Sequence, residues 1–204
     1  LNQEWAMSLE TAIECEAQAQ AIELIKANYK QIFYDPSSPV TGNKRGKVTL
    51  VEFFDYQCVH CKEMGKIIKN LTAKNKNLRV VFKDWPIFGG NSILAAKAAF
   101  AANMQGKYLA YHNALLSAKP PLDQDKLNSI ASKLKLNMAK FNLDMSNQKW
   151  DKVIKSNSDL ATKLKLIGTP AFIVGNKSGS TIRFIPGVVT QDVMAEIIRE
   201  VPPR

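Results

Sequence analysis

Residues 47–61 read KVTLVEFFDYQCVHC, and this stretch decides the fold. Its first eight residues, Lys47 to Phe54, are largely β-branched and aromatic, which is typical of a buried strand. Four residues later comes Cys58, which opens a Cys-x-x-Cys motif that ends at Cys61. The sequence therefore predicts a cysteine pair just beyond the end of a buried strand.

The residues after the motif complete a β-α-β unit. Apolar residues recur at helical spacing from Glu63 to Lys74, and Leu78 to Phe82 form a second apolar run of strand length. Two strands joined by a helix in this way pair in parallel through a right-handed crossover. The cysteine pair then lies where a strand becomes a helix.

The remainder of the chain predicts a helical insertion followed by a hairpin and a last helix. Residues 92–165 contain no strand signal and form helices interrupted at Gly106, at Pro120-Pro121 and around residues 142–147. The C-terminal elements are strands at Pro170–Val174 and Thr181–Ile185 and an amphipathic helix at Gln191–Val201.

A long amphipathic helix is predicted from Trp5 to Phe33, where no glycine or proline interrupts the chain. Its apolar stripe contains Leu9, Ala12, Ile13, Ile22, Ile25, Tyr29, Ile32 and Phe33. A helix of this length spans ~40 Å, which is more than one small domain needs for its own core. Self-association of residues 1–34 is the favoured explanation, and packing of the stripe on its own domain is the alternative. On a heptad pattern Cys15 lies on this stripe, either as an inert buried thiol or in an interchain disulfide.

Turn-forming residues from Asp35 to Gly46 predict a linker after this helix. We therefore expect an N-terminal helical dimerisation segment and linker at 1–40 and a catalytic domain at 41–204. The helical insertion occupies about 91–165 of that domain. The fold class is α/β.

Composition and charge describe a soluble globular chain and exclude several functions. Of the 204 residues, 46% are hydrophobic and 23% are charged, and the net charge is +10. Residues 1–40 contain six acidic and two basic side chains, so the positive charge lies in the rest of the chain. Its lysines are scattered without an arginine cluster or interleaved aromatics, so nucleic acid is not an expected partner. No apolar run is long enough to cross a membrane. The chain opens without a targeting peptide, which is either absent or already removed.

The Cys-x-x-Cys position favours redox chemistry. A thiolate at Cys58 is stabilised by the free N–H groups and the dipole of a helix N-terminus, and a charged His60 side chain would stabilise it further. Cys61 is one helical turn away and can form a disulfide with Cys58. Two alternatives are half of a zinc site and a purely structural disulfide. Zinc takes four ligands, and the sequence has no second such motif. We expect no metal and no cofactor.

The motif VEFFDYQCVHC resembles the active-site strand and turn of DsbA-like thiol-disulfide oxidoreductases, which have the thioredoxin fold. The resemblance covers residues 46–200 and includes Gly168-Thr169-Pro170, where the family has a cis-proline facing the cysteines. It implies that Cys58 is the exposed nucleophile and Cys61 the buried resolving thiol. It also implies that Thr169, Pro170 and the intervening motif residue Val59 contact the substrate.

Relatives keep a buried acid at the position of Glu52, which assists proton transfer at the inner cysteine. A lone glutamate in an apolar strand should have a raised pKa and can serve this role. The alternative is a residue at the strand edge that reaches solvent. His112 is interpreted as structural.

Two departures from the best-known oxidases bear on function. The dipeptide between the cysteines is Val59-His60 rather than Pro-His, and Thr169 before the proline resembles the disulfide isomerases. An N-terminal helix also resembles dimeric members of the family. The resemblance thus implies a periplasmic homodimer, after signal-peptide removal, that forms and isomerises disulfides in unfolded or misbridged proteins. The alternatives are a monomer-style oxidase recycled by a membrane redox partner, and a holdase chaperone with secondary redox activity.

Overall fold

A computed structural model of the chain describes residues 2–203, with side chains described from residue 10 onward. Within these residues one sheet contains five strands in the order β1-β3-β2-β4-β5. Strands β2 and β3 pair in parallel, and the other neighbours are antiparallel. The strands are β1 (Val40–Gly42), β2 (Val48–Phe54), β3 (Leu78–Asp84), β4 (Ala171–Asn176) and β5 (Ile182–Ile185).

Helices cover both faces of this sheet. The helices described in residues 2–203 are α1 (Asn2–Ala27), α2 (Tyr29–Phe33), α3 (Val59–Lys74), α4 (Gly90–Asn103), α5 (Tyr108–Ser117), α6 (Gln124–Lys133), α7 (Met138–Met145), α8 (Lys149–Lys163) and α9 (Gln191–Glu200). Helices α4 to α8 lie between β3 and β4 in the chain. Their breaks differ in part from the predicted ones, because α7 continues to Met145 and an unpredicted break precedes it. There the Asn137 side chain accepts the Lys140 N–H at 2.9 Å and begins α7.

The predicted β-α-β unit is confirmed, with two changes at its ends. Helix α3 begins at Val59 rather than Glu63, because Cys58 is its N-cap and accepts the Cys61 N–H. Strand β3 continues two residues beyond Phe82, to Asp84. All seven residues of β2 are buried, since β2 lies between β3 and β4.

The two faces of the central strands belong to different cores, because alternate strand residues point to opposite sides. Leu50 and Phe54 lie in the larger core with helix α3 and the inserted helices. Val51 and Phe53 lie in the other core, with helix α2 and the end of helix α1.

The predicted N-terminal helix is divided, and half of its apolar stripe packs on its own chain. Helical geometry is interrupted at Asn28, between α1 and α2. Ile25, Ile32 and Phe33 are buried in the second core, so for this half the self-packing alternative is correct. Ile13 is 57% exposed. The side chains of Trp5 and Leu9 lie outside the described residues.

The predicted linker is partly wrong, since its residues 40–42 form strand β1. Asp35, at its start, is also held, because the Lys83 Nζ lies 2.8 Å from its Oδ2. The Lys83 side chain is fully buried and also donates to the Gln31 carbonyl at 2.8 Å. Residues 31–42 therefore pack against the sheet and do not form a free linker between the N-terminal helix and the catalytic domain.

Candidate active site

Cys58 lies at the junction of β2 and α3, where the backbone turns from strand to helix. Its Sγ accepts the backbone N–H of Cys61 at 3.4 Å, which is the N-cap interaction of α3. Both motif cysteines are free thiols in this structure. Cys58 is only 6% exposed, so it is far less accessible than the exposed thiol that was expected. Cys58 retains a small accessible surface while most of the residue packs into the core.

The pKa of Cys58 is lowered from 9.0 to about 5. The largest cause is a hydrogen bond from the Cys61 thiol, which outweighs the opposing effect of burial. The Thr169 hydroxyl and the backbone N–H groups of Cys61 and His60 add to the stabilisation of the thiolate. Cys58 is therefore a thiolate at neutral pH, which is the nucleophilic form.

Cys61 has the opposite character. It is fully buried, and its pKa is raised far above the usual value by its hydrogen bond to Cys58, by burial and by the charge of Glu52. Two thiols within one helical turn thus differ in which one holds the proton. This arrangement lets the Cys58 thiolate attack an external disulfide while Cys61 remains a buried, protonated thiol.

His60 was expected to stabilise the thiolate through its ring, and the structure does not support that role. The side chain is 67% exposed and its Nδ1 lies 4.0 Å from Glu63 Oε2. Only the backbone N–H of His60 contributes to the lowered pKa of Cys58. The reason is geometric, since the His60 side chain lies on the exposed side of α3 while its backbone N–H points at the capping sulfur.

The Thr169-Pro170 peptide is cis, as predicted, and it lies against Cys58. The Cys58 thiol donates to the Thr169 carbonyl at 3.4 Å. The Thr169 Oγ1 is buried and has no hydrogen-bond partner within the described part of the chain. It is thus available to donate to the sulfur once Cys58 ionises. Val59, the residue after Cys58, is 74% exposed.

Glu52 is buried in the central strand rather than at a sheet edge, which rules out the solvent-reaching alternative. It is 1% exposed, and its Oε2 has no hydrogen-bond partner in the described residues. Burial, the charge of Asp84 and the charge of Cys58 raise its pKa well above the usual value. The charge of Glu52 in turn raises the pKa of Cys61, so the two groups interact electrostatically. A protonated glutamate here can exchange a proton with Cys61.

Sequence reasoning missed Asp55, which fixes the turn between β2 and α3. Its Oδ1 accepts the Gln57 N–H and the Ser92 hydroxyl, each at 2.7 Å, and its Oδ2 accepts the Phe88 N–H at 3.1 Å. An aspartate directly after a strand, two residues before a turn N–H, is the signal that was available. Asp84, a buried acid at the end of β3, was also missed.

His112 takes part in packing rather than chemistry. It is buried, and its Nδ1 is 2.9 Å from the Tyr56 hydroxyl, within a cluster of aromatic rings that includes Phe54 and Phe82. Burial lowers its pKa to about 3, so the ring is neutral. Among the described residues, no group of three or more His, Cys, Asp or Glu side chains is arranged to hold a metal ion.

Comparison with known proteins identifies the domain. The family model of the DSBA-like thioredoxin domain matches residues 49–199. The chain belongs to this family. The predicted thioredoxin fold with inserted helices is therefore confirmed, and residues 49–199 are a thiol-disulfide oxidoreductase domain of the DsbA family.

Similarity to solved structures extends over most of the chain. A thioredoxin-like oxidoreductase from Silicibacter pomeroyi DSS-3 is 35% identical, with a TM-score of 0.77 over 85% of this chain and 96% of that one. The thiol-disulfide exchange protein alpha-DsbA2 from Wolbachia pipientis is 28% identical, with a TM-score of 0.81 over 90% of this chain and 96% of that one.

A curated relative of another kind contains a similar segment. The Na(+)/H(+) antiporter NhaA 1 of Salinispora arenicola is 28% identical over 140 residues, which is 68% of this chain and 22% of the antiporter. The DSBA-like chain therefore spans about a fifth of the length of that relative. In residues 2–203 of this chain, every helix is too short or too polar to cross a membrane.

Proposed function

We propose that this protein forms and isomerises disulfide bonds in secreted or periplasmic proteins, through exchange at Cys58 and Cys61. In this proposal Cys58 is the nucleophile and Cys61 is the resolving thiol. Thr169, Pro170 and Val59 contact the client chain, and His60 takes part only through its backbone. No cofactor is required, because the two sulfurs carry both electrons.

The observation that supports the proposal most is the contrast between the two sulfurs. Cys58 has a pKa of about 5 and retains some exposure, whereas Cys61 is fully buried with a raised pKa. A low pKa makes Cys58 both an attacking thiolate at neutral pH and a good leaving group. Stabilisation of the reduced thiolate also raises the reduction potential, which favours donation of disulfides to clients.

The oxidation reaction balances with these residues and a client dithiol. A client thiolate attacks Cys58 of the Cys58–Cys61 disulfide, whose S–S bond breaks, and Cys61 leaves as a thiolate that takes a proton from Glu52. A second client thiolate then attacks the client sulfur of the mixed disulfide, and Cys58 leaves as a thiolate. The client gains one disulfide and the enzyme becomes a dithiol. A membrane redox partner is then needed to remove the two electrons.

Isomerisation begins from the reduced enzyme and needs no oxidant. The Cys58 thiolate attacks a client disulfide, and the released client thiolate attacks a different client disulfide. A final client thiolate displaces Cys58, so that the bonds change while the number of disulfides does not. The threonine at position 169 and the N-terminal helix, both similar to those of disulfide isomerases, support this activity.

Dimerisation through residues 1–34 is part of the proposal, and the described packing limits which residues are available for it. From Ile22 to Phe33 the apolar side chains largely face their own domain, whereas residues 10–20 are exposed and include Ile13 and Cys15. Contact between two chains would thus use the exposed part of α1. Cys15, exposed in the single chain, would be buried by such contact or would form an interchain disulfide.

Deletion of residues 1–20 tests the proposal better than deletion of 1–34. The longer deletion removes buried Ile25, Ile32 and Phe33, as well as the Phe33 carbonyl that accepts Arg79 Nη1 at 2.7 Å. We expect the 1–20 deletion to be monomeric by light scattering, to oxidise a dithiol peptide at the full rate, and to lose most activity on a scrambled client. Cys58→Ser in the full chain controls for redox activity.

The outcomes separate the rival functions. The dimeric isomerase would be contradicted if light scattering gave the full chain a mass other than that of a dimer. It would also be contradicted if the 1–20 deletion were monomeric and isomerised as well as the full chain. Full oxidation without isomerisation in either form would favour the monomer-style oxidase. Protection of a cysteine-free client that survives Cys58→Ser would favour a holdase. The periplasm is the proposed location because disulfides persist in such oxidising compartments.

A further inference from the structure

A second buried carboxyl group, Asp84, lies near Glu52 on the same face of the sheet. The parallel register pairs Glu52 with Phe82 and Phe54 with Asp84, so the two acids are diagonal neighbours on adjacent strands. With strands ~4.8 Å apart and a rise of ~3.3 Å per residue, their Cα atoms are on the order of 8 Å apart. Residues that alternate along a strand share a face, and this is the face covered by α3 and Cys61.

Three of the four carboxyl oxygens of Glu52 and Asp84 have no hydrogen-bond partner among the described residues. Each residue is 1% exposed, and no other residue bonds to Asp84 Oδ1, Asp84 Oδ2 or Glu52 Oε2. The neighbouring buried cation, Lys83, points to the opposite face and is held by Asp35. Buried charges are costly without a partner, and two like charges at this separation oppose each other. The pair therefore cannot lose both protons near neutral pH.

The groups around the pair do not change this conclusion. The titratable groups that interact with Glu52 or Asp84 from the packed elements are Asp55, Tyr56, Cys58, Cys61 and Tyr108. They are acids, thiols and phenols, and none of them is a cation. Only one negative charge is thus tolerated. Burial raises the pKa of both acids, but the backbone of Asp84 stabilises its own carboxylate, whereas the charges of Asp84 and Cys58 further raise the pKa of Glu52. Asp84 therefore takes the charge and Glu52 keeps its proton.

We propose that Asp84 is a positioning residue for proton transfer at Cys61, acting by keeping Glu52 protonated. This inference rests on the proposed function. When a client thiolate opens the Cys58–Cys61 disulfide, the Cys61 thiolate takes the Glu52 proton, and this carboxyl-to-sulfur proton transfer replaces proton uptake from water. The charge on Asp84 opposes ionisation of Glu52 and so raises the pH at which Glu52 loses this proton.

The test is the pH dependence of disulfide opening in the oxidised full chain. Reduced glutathione opens the disulfide, samples are quenched with acid, and free thiols are alkylated and counted by mass, with rates corrected for the glutathione thiolate. Loss of the Glu52 proton should appear as a fall in rate at high pH. Asp84→Asn should move the midpoint of that fall to lower pH by about 1.5 units, the effect of two charges ~8 Å apart at an effective dielectric of ~20.

Two further variants make the result specific. Glu52→Gln should abolish the fall, and adding Asp84→Asn to Glu52→Gln should produce no further shift. Asp35→Asn removes an acid from the other face of the sheet and should leave the midpoint unchanged, which controls for lost stability. Asp84→Ser takes the place of Asp84→Asn if the latter does not fold.

A midpoint that is unchanged in Asp84→Asn, or that shifts equally in the Glu52→Gln background, would overturn the role of Asp84. Failure of the wild-type disulfide to react with glutathione at all would instead contradict the proposed function. The two failures are therefore distinguishable in one set of measurements.

Discussion

Replacement of Thr169 by valine should raise the pKa of Cys58. The Thr169 hydroxyl is buried beside Cys58, has no other partner in the described chain, and stabilises the thiolate. Valine keeps the shape and removes the donor. A hydrogen bond to a charged group contributes ~1.5 to 3 kcal/mol, and one pKa unit corresponds to ~1.4 kcal/mol. The pKa of Cys58 should therefore rise from about 5 by ~1 to 2 units.

The assay is a thiolate-absorbance titration of the reduced protein, with Cys58→Ser as the blank. Because only the thiolate reacts, alkylation of Thr169→Val at pH 5 should be ~10-fold slower than that of the wild type. Thr49→Val, a buried threonine earlier in β2, is the matched control and should leave the midpoint unchanged. An unchanged midpoint in Thr169→Val would refute the assignment of this hydroxyl.

The same substitution should change how stability depends on pH. The folded-state pKa of Cys58 lies below its unfolded value, so it stabilises the reduced form fully above the unfolded pKa, and this contribution is lost as pH falls through about 5. In Thr169→Val the loss should occur at higher pH. Urea unfolding of reduced and oxidised protein at several pH values measures this, since the oxidised form has no Cys58 titration.

Two other substitutions test the account away from the cis-proline. His60→Ala should shift the pKa of Cys58 less than Thr169→Val does, because only the His60 backbone N–H acts on the sulfur. A larger shift in the same titration would show that the imidazole ring also stabilises the thiolate. Asp35→Asn should lower the free energy of unfolding at pH 7 by ~3 kcal/mol, since it leaves the buried Lys83 ammonium without its carboxylate. Burial of Asp35 opposes its ionisation, but the hydrogen bonds from Lys83 and Ser37 outweigh burial and lower its pKa. The stability difference between the wild type and Asp35→Asn should therefore shrink as acid protonates the carboxylate. Equal free energies of unfolding of the wild type and Asp35→Asn in urea at pH 7 would contradict the role of the Asp35–Lys83 pair.

The sequence was sufficient for the parts of the fold that depend on local patterns. The apolar run in β2, the helical spacing in α3 and the Gly-containing hairpin each identify an element within a few residues. Strand β1 was not predictable in this way, because three residues are too few to show a period. Its place is decided by pairing with β3, with Val40 opposite Val81.

The site was predictable where a motif carried it and not where distant residues meet. Cys58, Cys61, Glu52 and Pro170 follow from the strand, the motif and the family resemblance. The Asp35–Lys83 pair joins residues 48 positions apart, and the proximity of Asp84 to Glu52 depends on the parallel register of two strands. The ring of His60 was misjudged because the sequence gives its distance from Cys58 but not its direction.

The division of roles between the two sulfurs is the central claim, and mixed-disulfide trapping tests it most directly. Cys61→Ser leaves the Cys58 thiolate able to attack clients but removes the thiol that releases them. We expect it to accumulate covalent complexes with disulfide-containing clients on non-reducing gels, while Cys58→Ser accumulates few or none. Accumulation by Cys58→Ser and not by Cys61→Ser would show that the roles are reversed and would contradict the account.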